Sequence, residues 1–180
     1  MIFKKTKMKL IVGLGNPGER YKNSRHNLGF MIIDYFCKEK GIKISKKKFN
    51  GIYERIKENN QEYIILKPMS YMNNSGEVVY LFASYFAIEP KDILIVYDDK
   101  DILFNKYKIS NKGSSAGHNG VKDILKHLDK DNFTRLRCGI GPVNNKRIED
   151  FVMDDFLKKE LKELDLTKYL NLIYYFLYNE

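Results

Sequence analysis

The amino-acid sequence predicts an α/β fold, a single domain built on a mixed, mostly parallel, twisted sheet flanked by helices. Short apolar segments rich in β-branched residues alternate with longer segments in which apolar residues recur every three or four positions. Two adjacent strand-like segments are separated only by a short polar turn, which is typical of a hairpin. The chain of 180 residues contains no repeat and no long linker. We therefore expect one domain over residues 1–180.

The first predicted strand is the apolar run from Lys9 to Leu14, and the glycine-rich segment 13–18 indicates a tight turn after it. Ser24 is a candidate N-cap, because apolar residues follow it at helical spacing. His26 is therefore expected at the first turn of a helix, close to the end of a strand. The positive end of the helix dipole disfavours a protonated imidazole, so we expect a neutral His26 that can accept a proton.

The next part of the chain predicts a hairpin. Residues 51–58 and 62–67 have strand-like patterns, and Asn59–Gln61 joins them. The lysine-rich segment 38–48 before them favours a solvated loop, with a rim that contacts phosphates as the functional alternative.

The second half of the chain alternates strands and helices again. The expected elements are a helix capped by Asn74 or Ser75, strands at 93–97 and 106–110, a helix that begins near Asn119, a strand at 133–140 and a helical segment at 148–180. The strand at 93–97 is expected to end in the acidic residues Asp98, Asp99 and Asp101. Arg135 and Arg137 should share one face of the last strand, where acidic residues of the tail could pair with them.

The net charge of +9 is unevenly spread, because residues 148–180 carry −4 and residues 1–147 carry +13. This favours a polyanionic partner such as nucleic acid, with a lysine-rich composition that only maintains solubility as the alternative. Residues 1–8 form a basic leader without the apolar segment of a secretion signal, and no apolar run approaches the roughly 20 residues that span a bilayer. Two cysteines indicate neither a disulfide framework nor a zinc site. We expect a cytoplasmic protein that uses no metal and no cofactor.

One motif suggests a dinucleotide cofactor, because Gly13-x-Gly15-x-x-Gly18 follows a strand. In a nucleotide-binding turn the helix begins at the glycines, so that its amides hold the pyrophosphate. Here Pro17 and the polar residues 19–23 come before any helical pattern, and the acidic residue expected at the end of a second strand is missing. We therefore reject an oxidoreductase built on this turn.

Polar residues recur at the predicted ends of strands and helices, where open α/β sheets bind ligands. They are Asn16, Asn73, Asp98, His118 and Asn119. A neutral His26 could deprotonate a water while Asp98 fixes its tautomer, and asparagine amides could donate to a carbonyl oxygen as negative charge develops. The chain has no G-x-S-x-G motif and neither cysteine has an activating context, so water is favoured as the nucleophile. Turns and helix caps also favour asparagine without any catalytic role.

Four segments resemble bacterial-type peptidyl-tRNA hydrolases in order and spacing over residues 9 to about 157. They are GLGNPG…Y…RHN at 13–27, PMSYMNNSG at 68–76, IVYDDKDI at 95–102, and GSSAGHNGVKDI at 113–124 followed by RLRCGIG at 135–141. The resemblance implies cleavage of the ester bond between an N-blocked peptide and the terminal ribose of tRNA, which recycles tRNA from aborted translation. It also implies a monomer. One departure is Ala116, where the family usually has a glycine.

The resemblance further implies roles for individual residues. His26 would be the base, Asp98 the residue that supports its basic form, and Asn16 the residue that discriminates N-blocked peptidyl-tRNA from free aminoacyl-tRNA. The peptide and ester region would be bound by Tyr21, Tyr71, Met72, Asn73, His118 and Asn119. The tRNA would be contacted by Lys106, Lys108 and Arg137. The competing hypothesis is an RNA-binding protein that has lost catalysis, although a pure binder has no need of the His26–Asp98 pair.

Overall fold

A computed structural model describes residues 7–179, which contain a seven-stranded sheet in the order β2-β3-β4-β1-β5-β7-β6. The strands are β1 (Lys9–Gly13), β2 (Lys46–Lys48), β3 (Gly51–Glu58), β4 (Gln61–Pro68), β5 (Ile93–Leu103), β6 (Tyr107–Ser110) and β7 (Thr134–Gly141). The helices are α1 (Leu28–Lys40), α2 (Ser75–Tyr85), α3 (Asn119–Leu128), α4 (Ile148–Met153), α5 (Lys158–Glu163) and α6 (Thr167–Tyr178). The central strands β4, β1, β5 and β7 run parallel, and the outer strands join them antiparallel. The predicted mixed α/β sheet with flanking helices is confirmed.

The two faces of the sheet are covered by different helices. Along β1, Ile11 packs in the cluster that contains α1 and α6, whereas Leu10 and Val12 pack in the cluster that contains α2 and α3. Successive side chains of a strand point to opposite faces, so a strand buried on both sides is apolar throughout. The core therefore fixes the carboxyl ends of the central strands from both sides.

The glycine-rich turn after β1 serves close packing. A Cβ atom at Gly13 would lie 2.6 Å from the carbonyl oxygen of Gly29, and one at Gly29 would lie 2.4 Å from the carbonyl oxygen of Val96. Only glycine lets the start of α1 approach β1 and β5 this closely. Helix α1 begins at Leu28, well beyond the motif, and the amide of Phe30 in its first turn donates to the Leu14 carbonyl at 3.2 Å, so this amide is used within the protein. Packing accounts for Gly13 and also for Gly15, where a Cβ atom would lie 2.6 Å from the Phe30 ring. Gly18 is required instead by its φ of 109°.

The interpretation of residues 38–48 as a loop is wrong at both ends. Helix α1 continues to Lys40 and ends at Gly41, whose φ of 66° lies in the left-handed region that favours glycine. Lys46–Lys48 then pairs antiparallel with β3 as an edge strand. An edge strand tolerates charged side chains because one of its sides faces solvent, so the lysine content did not indicate a loop.

Two other boundaries differ from the sequence-based expectation. The hairpin turns on Asn59 and Asn60 alone, both with positive φ, so Gln61 belongs to β4. Strand β5 continues through the acidic residues, and Asp98 and Asp99 are buried strand residues that pair with β7. Both carboxylates have cationic or imidazole partners, which allows them to be buried.

The C-terminal segment is helical but is divided into α4, α5 and α6. Helix α6 packs on the sheet through buried residues that include Tyr169 and Ile173. Residues 1–6 of the predicted basic leader, and Glu180, lie outside the described residues. None of the helices within residues 7–179 is long and apolar enough to cross a bilayer.

Candidate active site

The parallel strands β1, β4 and β5 end at one side of the sheet, which we call the carboxyl edge, and the segments that leave them carry most of the predicted site residues. His26 lies in a 3-10 turn, Arg25–Asn27, that leads directly into α1. Ser24 precedes this turn, but its hydroxyl donates to the Tyr21 carbonyl instead of capping the helix. The turn is buried, and His26 lies beside Asp98 in the middle of β5.

Asp98 joins two histidines in a buried hydrogen-bonded chain. Both carboxylate oxygens lie 3.0 Å from His26 Nδ1, and Oδ1 also lies 2.9 Å from His118 Nε2. The Asp98 side chain is 2% exposed, and the two imidazoles are 10% and 8% exposed. His26 precedes α1, Asp98 is in β5 and His118 is the N-cap of α3, so three distant segments meet at one carboxylate.

A backbone amide determines where His118 carries its proton. The Val121 amide donates to His118 Nδ1 at 3.3 Å, so this nitrogen is bare and Nε2 is the donor to Asp98. His26 donates to the carboxylate from Nδ1, which leaves Nε2 as the nitrogen that can accept a proton. Asp98 therefore orients the His26 ring as the carboxylate of a catalytic triad orients its histidine.

Charge pairing outweighs burial in setting the pKa values of Asp98 and His26. Burial disfavours the ionised Asp98 carboxylate, but the charges and hydrogen bonds of His26 and His118 hold its pKa below the usual range. Burial also disfavours protonated His26, but the Asp98 charge and hydrogen bond raise the pKa of this ring above its ordinary value. The net shift is opposite to the one expected from the helix dipole alone, because a carboxylate 3.0 Å away acts more strongly than the partial charge of a helix end.

The same three side chains also have the composition of a metal site, since their ligand atoms lie within 4.8 Å of one another. A metal needs imidazole nitrogens without protons. His118 Nε2 carries its proton toward Asp98, because the Val121 amide already occupies Nδ1. The three side chains therefore fit a hydrogen-bonded group in which His118 Nε2 keeps its proton. We assign no step of the reaction to a metal.

Asn16 is buried and connects two segments of the carboxyl edge. Its Oδ1 accepts from the Met72 amide at 2.8 Å, and its backbone amide and carbonyl bond to the Asn27 side chain at 2.8 and 2.9 Å. Its Nδ2 lies 3.7 Å from the Met153 sulfur, a weak acceptor. Asn27 is absent from the predicted site, although its place beside His26 in the RHN motif is a usable signal.

The other two predicted asparagines are exposed beside buried members of the site. Asn73 follows Met72, whose amide binds Asn16, and Asn119 follows His118 as the first residue of α3. Asn73 is thus exposed next to the bond between Met72 and Asn16, and Asn119 is exposed next to His118. Within the described residues, neither side chain bonds to Asp98, His26 or His118.

Aromatic side chains border the same edge. Tyr21 and Tyr71 pack edge to face with 6.5 Å between ring centroids. Tyr71 is 59% exposed, which leaves one side of its ring available to a ligand. Both residues are predicted to shape the substrate site, and they lie together.

The three predicted tRNA contacts differ in availability. Lys106 and Lys108 are exposed at the edge strand β6, and neither forms an ion pair within residues 7–179. Arg137 donates to Asp99 Oδ2 at 2.8 Å and is only partly exposed. The charge of Arg137 is therefore neutralised locally, whereas the two lysines keep theirs.

The alternative in which the strand arginines pair with acids of the tail is wrong. Arg137 pairs with Asp99, and Arg135 is fully buried and donates to backbone carbonyls on both sides of α3. The tail is bound instead by Arg25, next to His26, which forms a 2.8 Å ion pair with Glu160. Arg25 gives no signal in the sequence, because the pairing joins residues far apart in the chain.

Neither cysteine is a nucleophile. Burial raises the pKa of the Cys138 thiol well above its usual value. Burial and the nearby Asp34 carboxylate raise the pKa of Cys37 to about 12. Both thiols are therefore protonated near neutral pH, and the thiolate is the reactive form.

A protein-family model described as peptidyl-tRNA hydrolase matches residues 10–177. The chain belongs to the peptidyl-tRNA hydrolase family. The resemblance drawn from four motifs is confirmed, and with it the predicted enzyme class, an ester hydrolase of peptidyl-tRNA. The family assignment rests on nearly the whole described chain and not on the motifs alone.

Individual members of the peptidyl-tRNA hydrolase family are similar to this chain over most of their length. The peptidyl-tRNA hydrolase of Bacillus subtilis is 42% identical over 159 residues, which cover 88% of this chain and 85% of that protein. The one of Metamycoplasma arthritidis is 46% identical over 158 residues, which cover 88% and 84%. The crystal structure of the peptidyl-tRNA hydrolase from Acinetobacter baumannii superposes with a TM-score of 0.87 at 35% identity, over 94% of this chain and 88% of that one.

Proposed function

We propose that this chain hydrolyses the ester of peptidyl-tRNA with His26 as the general base and water as the nucleophile. The observation that carries the proposal is the bond from His26 Nδ1 to both oxygens of the buried Asp98 carboxylate at 3.0 Å. This partner raises the pKa of the ring and stabilises the imidazolium that forms when Nε2 removes a proton from water. The water oxygen bonds to the acyl carbon, the bond to the ribose oxygen breaks, and the proton passes to that leaving oxygen.

Asn16 would supply the preference for a blocked peptide. Its Oδ1 is held by the Met72 amide, so Nδ2 is the group left to face the substrate. An N-blocked substrate offers a carbonyl oxygen that accepts from Nδ2, whereas a free aminoacyl group offers an ammonium, which can only donate. The exposed amides of Asn73 and Asn119 would donate to the ester and peptide carbonyls as negative charge develops.

The remaining parts of the proposal concern the rest of the substrate and the state of the protein. Tyr21, Tyr71 and Met72 would line the position of the reacting group, and Lys106 and Lys108 would meet tRNA phosphates, with Arg137 contributing less because Asp99 neutralises it. A cytoplasmic monomer is part of the same proposal and follows from the family resemblance. Sedimentation of the purified protein across a range of concentrations tests the monomer.

The test is release of tRNA from an N-acetyl-aminoacyl-tRNA by the native protein, His26→Ala and His127→Ala. We expect His26→Ala to lose several orders of magnitude in kcat, because a general base contributes about 10²–10⁴-fold and its imidazolium is also lost. His127 bonds to the carbonyl of Asp123, away from the Asp98 chain, so His127→Ala is the matched control and keeps native activity. Equal activity of both variants would reject His26 as the base.

The competing function, RNA binding without catalysis, gives a different result in the same assay. A pure binder would retain tRNA with high affinity and release none of it from the acylated form. The proposal predicts release by the native protein at catalytic concentrations.

A further inference from the structure

Met153, the last residue of α4, is the most exposed methionine of the described chain. It is 38% exposed, whereas Met72 is 3% exposed. The other three methionines within residues 7–179 are only partly exposed; they are Met8, Met31 and Met69. A dissolved oxidant reaches an exposed thioether more readily than a buried one. We therefore expect Met153 to be oxidised before the other methionines.

The Met153 sulfur lies beside the group that is proposed to recognise the blocked peptide. Asn16 is 6% exposed, and its Nδ2 lies 3.7 Å from this sulfur. Asn16 Oδ1 accepts from the Met72 amide at 2.8 Å, so Nδ2 cannot turn away from Met153 without loss of that bond. A thioether is a weak acceptor, which a substrate carbonyl can replace at Nδ2. The chemical state of one sulfur therefore decides how strongly Nδ2 is held within the protein.

The residues that follow Met153 are bound by Arg25, which directly precedes the proposed base. The Arg25 amide donates to the Asp154 carbonyl at 3.0 Å. Its buried guanidinium donates to the Asp155 carbonyl at 3.0 Å and to the Glu160 carboxylate at 2.8 Å. These bonds hold the backbone next to Met153 in place. A new group on the sulfur would therefore remain beside the Nδ2 amide instead of moving away from it with the chain.

We propose that Met153 is a site of oxidation by hydrogen peroxide, and that its sulfoxide blocks recognition of the N-blocked peptide by Asn16. The sulfur attacks one peroxide oxygen, the O–O bond breaks, and the other oxygen leaves as water with both protons. The thioether thus loses two electrons and the peroxide gains two. The new oxygen is a strong acceptor on a sulfur that already contacts Nδ2, so it takes the place of the substrate carbonyl. This inference rests on the role proposed for Asn16.

The two cysteines do not compete with Met153 for peroxide. Both Cys37 and Cys138 are buried, and burial raises the pKa of each thiol above its usual value. The thiolate is the form that peroxide oxidises, and neither side chain forms it near neutral pH. A loss of activity at low peroxide is therefore expected to come from methionine.

The experiment exposes the native protein, Met153→Leu and Met31→Leu to the same series of hydrogen peroxide concentrations. Leucine is close to methionine in volume, so all three proteins should fold. Met31→Leu is the matched control, because Met31 packs against the cluster of α1 and α6 instead of Asn16. Trypsin releases residues 148–158 as one peptide, in which Met153 is the only methionine, so mass spectrometry reports its sulfoxide directly. The kcat/KM for N-acetyl-aminoacyl-tRNA is compared with that of the untreated sample of the same protein.

In the native protein and in Met31→Leu, the sulfoxide of peptide 148–158 should form first. The kcat/KM should fall by about 10–100-fold as it forms, the factor expected when one hydrogen bond to the substrate is lost. The melting temperature should change little, and methionine sulfoxide reductases should restore kcat/KM. Met153→Leu should keep its kcat/KM at the same peroxide concentrations. An equal loss in Met153→Leu, or formation of the Met153 sulfoxide with no loss in the native protein, would overturn the proposal.

A second variant tests the same step without peroxide. Met153→Gln places an amide oxygen, a strong acceptor, near the position of the sulfoxide oxygen, and it should lower kcat/KM by a similar factor. A native kcat/KM in Met153→Gln would also count against the proposal. Hydrolysis by the untreated protein that does not respond to oxidation of Met153 would reject this inference alone. Absence of hydrolysis by the untreated protein would reject the proposed function itself.

Discussion

Asp98 and Asp99 are neighbours in one strand, yet they belong to different parts of the molecule. Asp98 accepts from two histidines at the candidate active site, and Asp99 accepts from Arg137 and from the backbone amide of Asp101. Successive side chains of a strand point to opposite faces, so a one-residue step moves a carboxylate from the proposed catalytic residues to an ion pair with Arg137. Both are buried aspartates of β5, so the different roles that we propose for them rest on their partners and on the face that each occupies.

The largest expected effect separates these two carboxylates directly. Asp98→Asn should lower kcat by on the order of 10³–10⁴-fold, because an amide neither stabilises the His26 imidazolium nor fixes the same tautomer. Asp99→Asn, its matched control one residue away, should stay within about 10-fold of native kcat. The kcat of each variant is measured as release of tRNA from N-acetyl-aminoacyl-tRNA at saturating substrate. Similar losses in the two variants would remove the distinction between the two faces.

The second prediction concerns the other partner of Asp98. His118→Asn keeps a side chain that can cap α3 but removes the Nε2 donor, so the carboxylate loses one charge-assisted hydrogen bond. Such a bond is worth about 1.5–3 kcal/mol, which corresponds to a fall in kcat of about 10–100-fold. Single-turnover kinetics measure this loss. A native rate would mean that His26 alone is sufficient to hold Asp98.

The third prediction concerns Arg137, the partner of Asp99. Arg137→Gln leaves a buried carboxylate without its cation and should lower the free energy of unfolding by about 1–3 kcal/mol. The kcat should remain close to native, because the pair does not touch the Asp98 chain. Urea unfolding of the single variants and of Asp99→Asn/Arg137→Gln gives the coupling energy of the pair. Additive losses in the double variant would mean that the pair contributes no coupling.

The smallest expected effect lies in the loop that leads to His118. Ala116 has a φ of 47°, a left-handed conformation that costs a non-glycine residue about 1 kcal/mol. Ala116→Gly relieves this cost but adds about 0.4–1 kcal/mol of chain entropy to the unfolded state, so the net change in unfolding free energy should stay below about 1 kcal/mol. Calorimetry measures the change in unfolding free energy, and the tRNA-release assay measures kcat, which should stay native. A large loss of activity would show that Ala116 stiffens the loop for a purpose.

Much of the site could be predicted from the sequence, because its members lie at the ends of elements that the sequence marks clearly. A buried apolar strand followed by Asp98, and a polar loop that ends in His118 and Asn119, place these residues at one edge of a parallel sheet once the fold class is known. The motif resemblance then singles out His26 among the three histidines. The structure places His26 and His118 on either side of Asp98.

The parts that could not be predicted depend on long-range pairing. Whether Arg137 meets Asp99 or an acid of the tail is a matter of strand register and helix packing, and several carboxylates fit the pattern equally well. The same holds for Arg25 and Glu160, which are neighbours only in the folded chain. Lys46–Lys48 gives no strand signal of its own, because its pairing with β3 and not its side chains makes it a strand.

The most direct test of the central claim, that Asp98 makes His26 the base, is the pH dependence of kcat/KM in the native protein and in Asp98→Asn. The base must be unprotonated, so the rate rises with pH through the pKa of His26 to a plateau. The native midpoint should lie above the ordinary histidine value of about 6.5, because Asp98 raises the pKa. In Asp98→Asn only burial remains, so the midpoint should move to lower pH while the plateau falls. An identical midpoint in both proteins, or a native midpoint below that of an ordinary histidine, would contradict the claim.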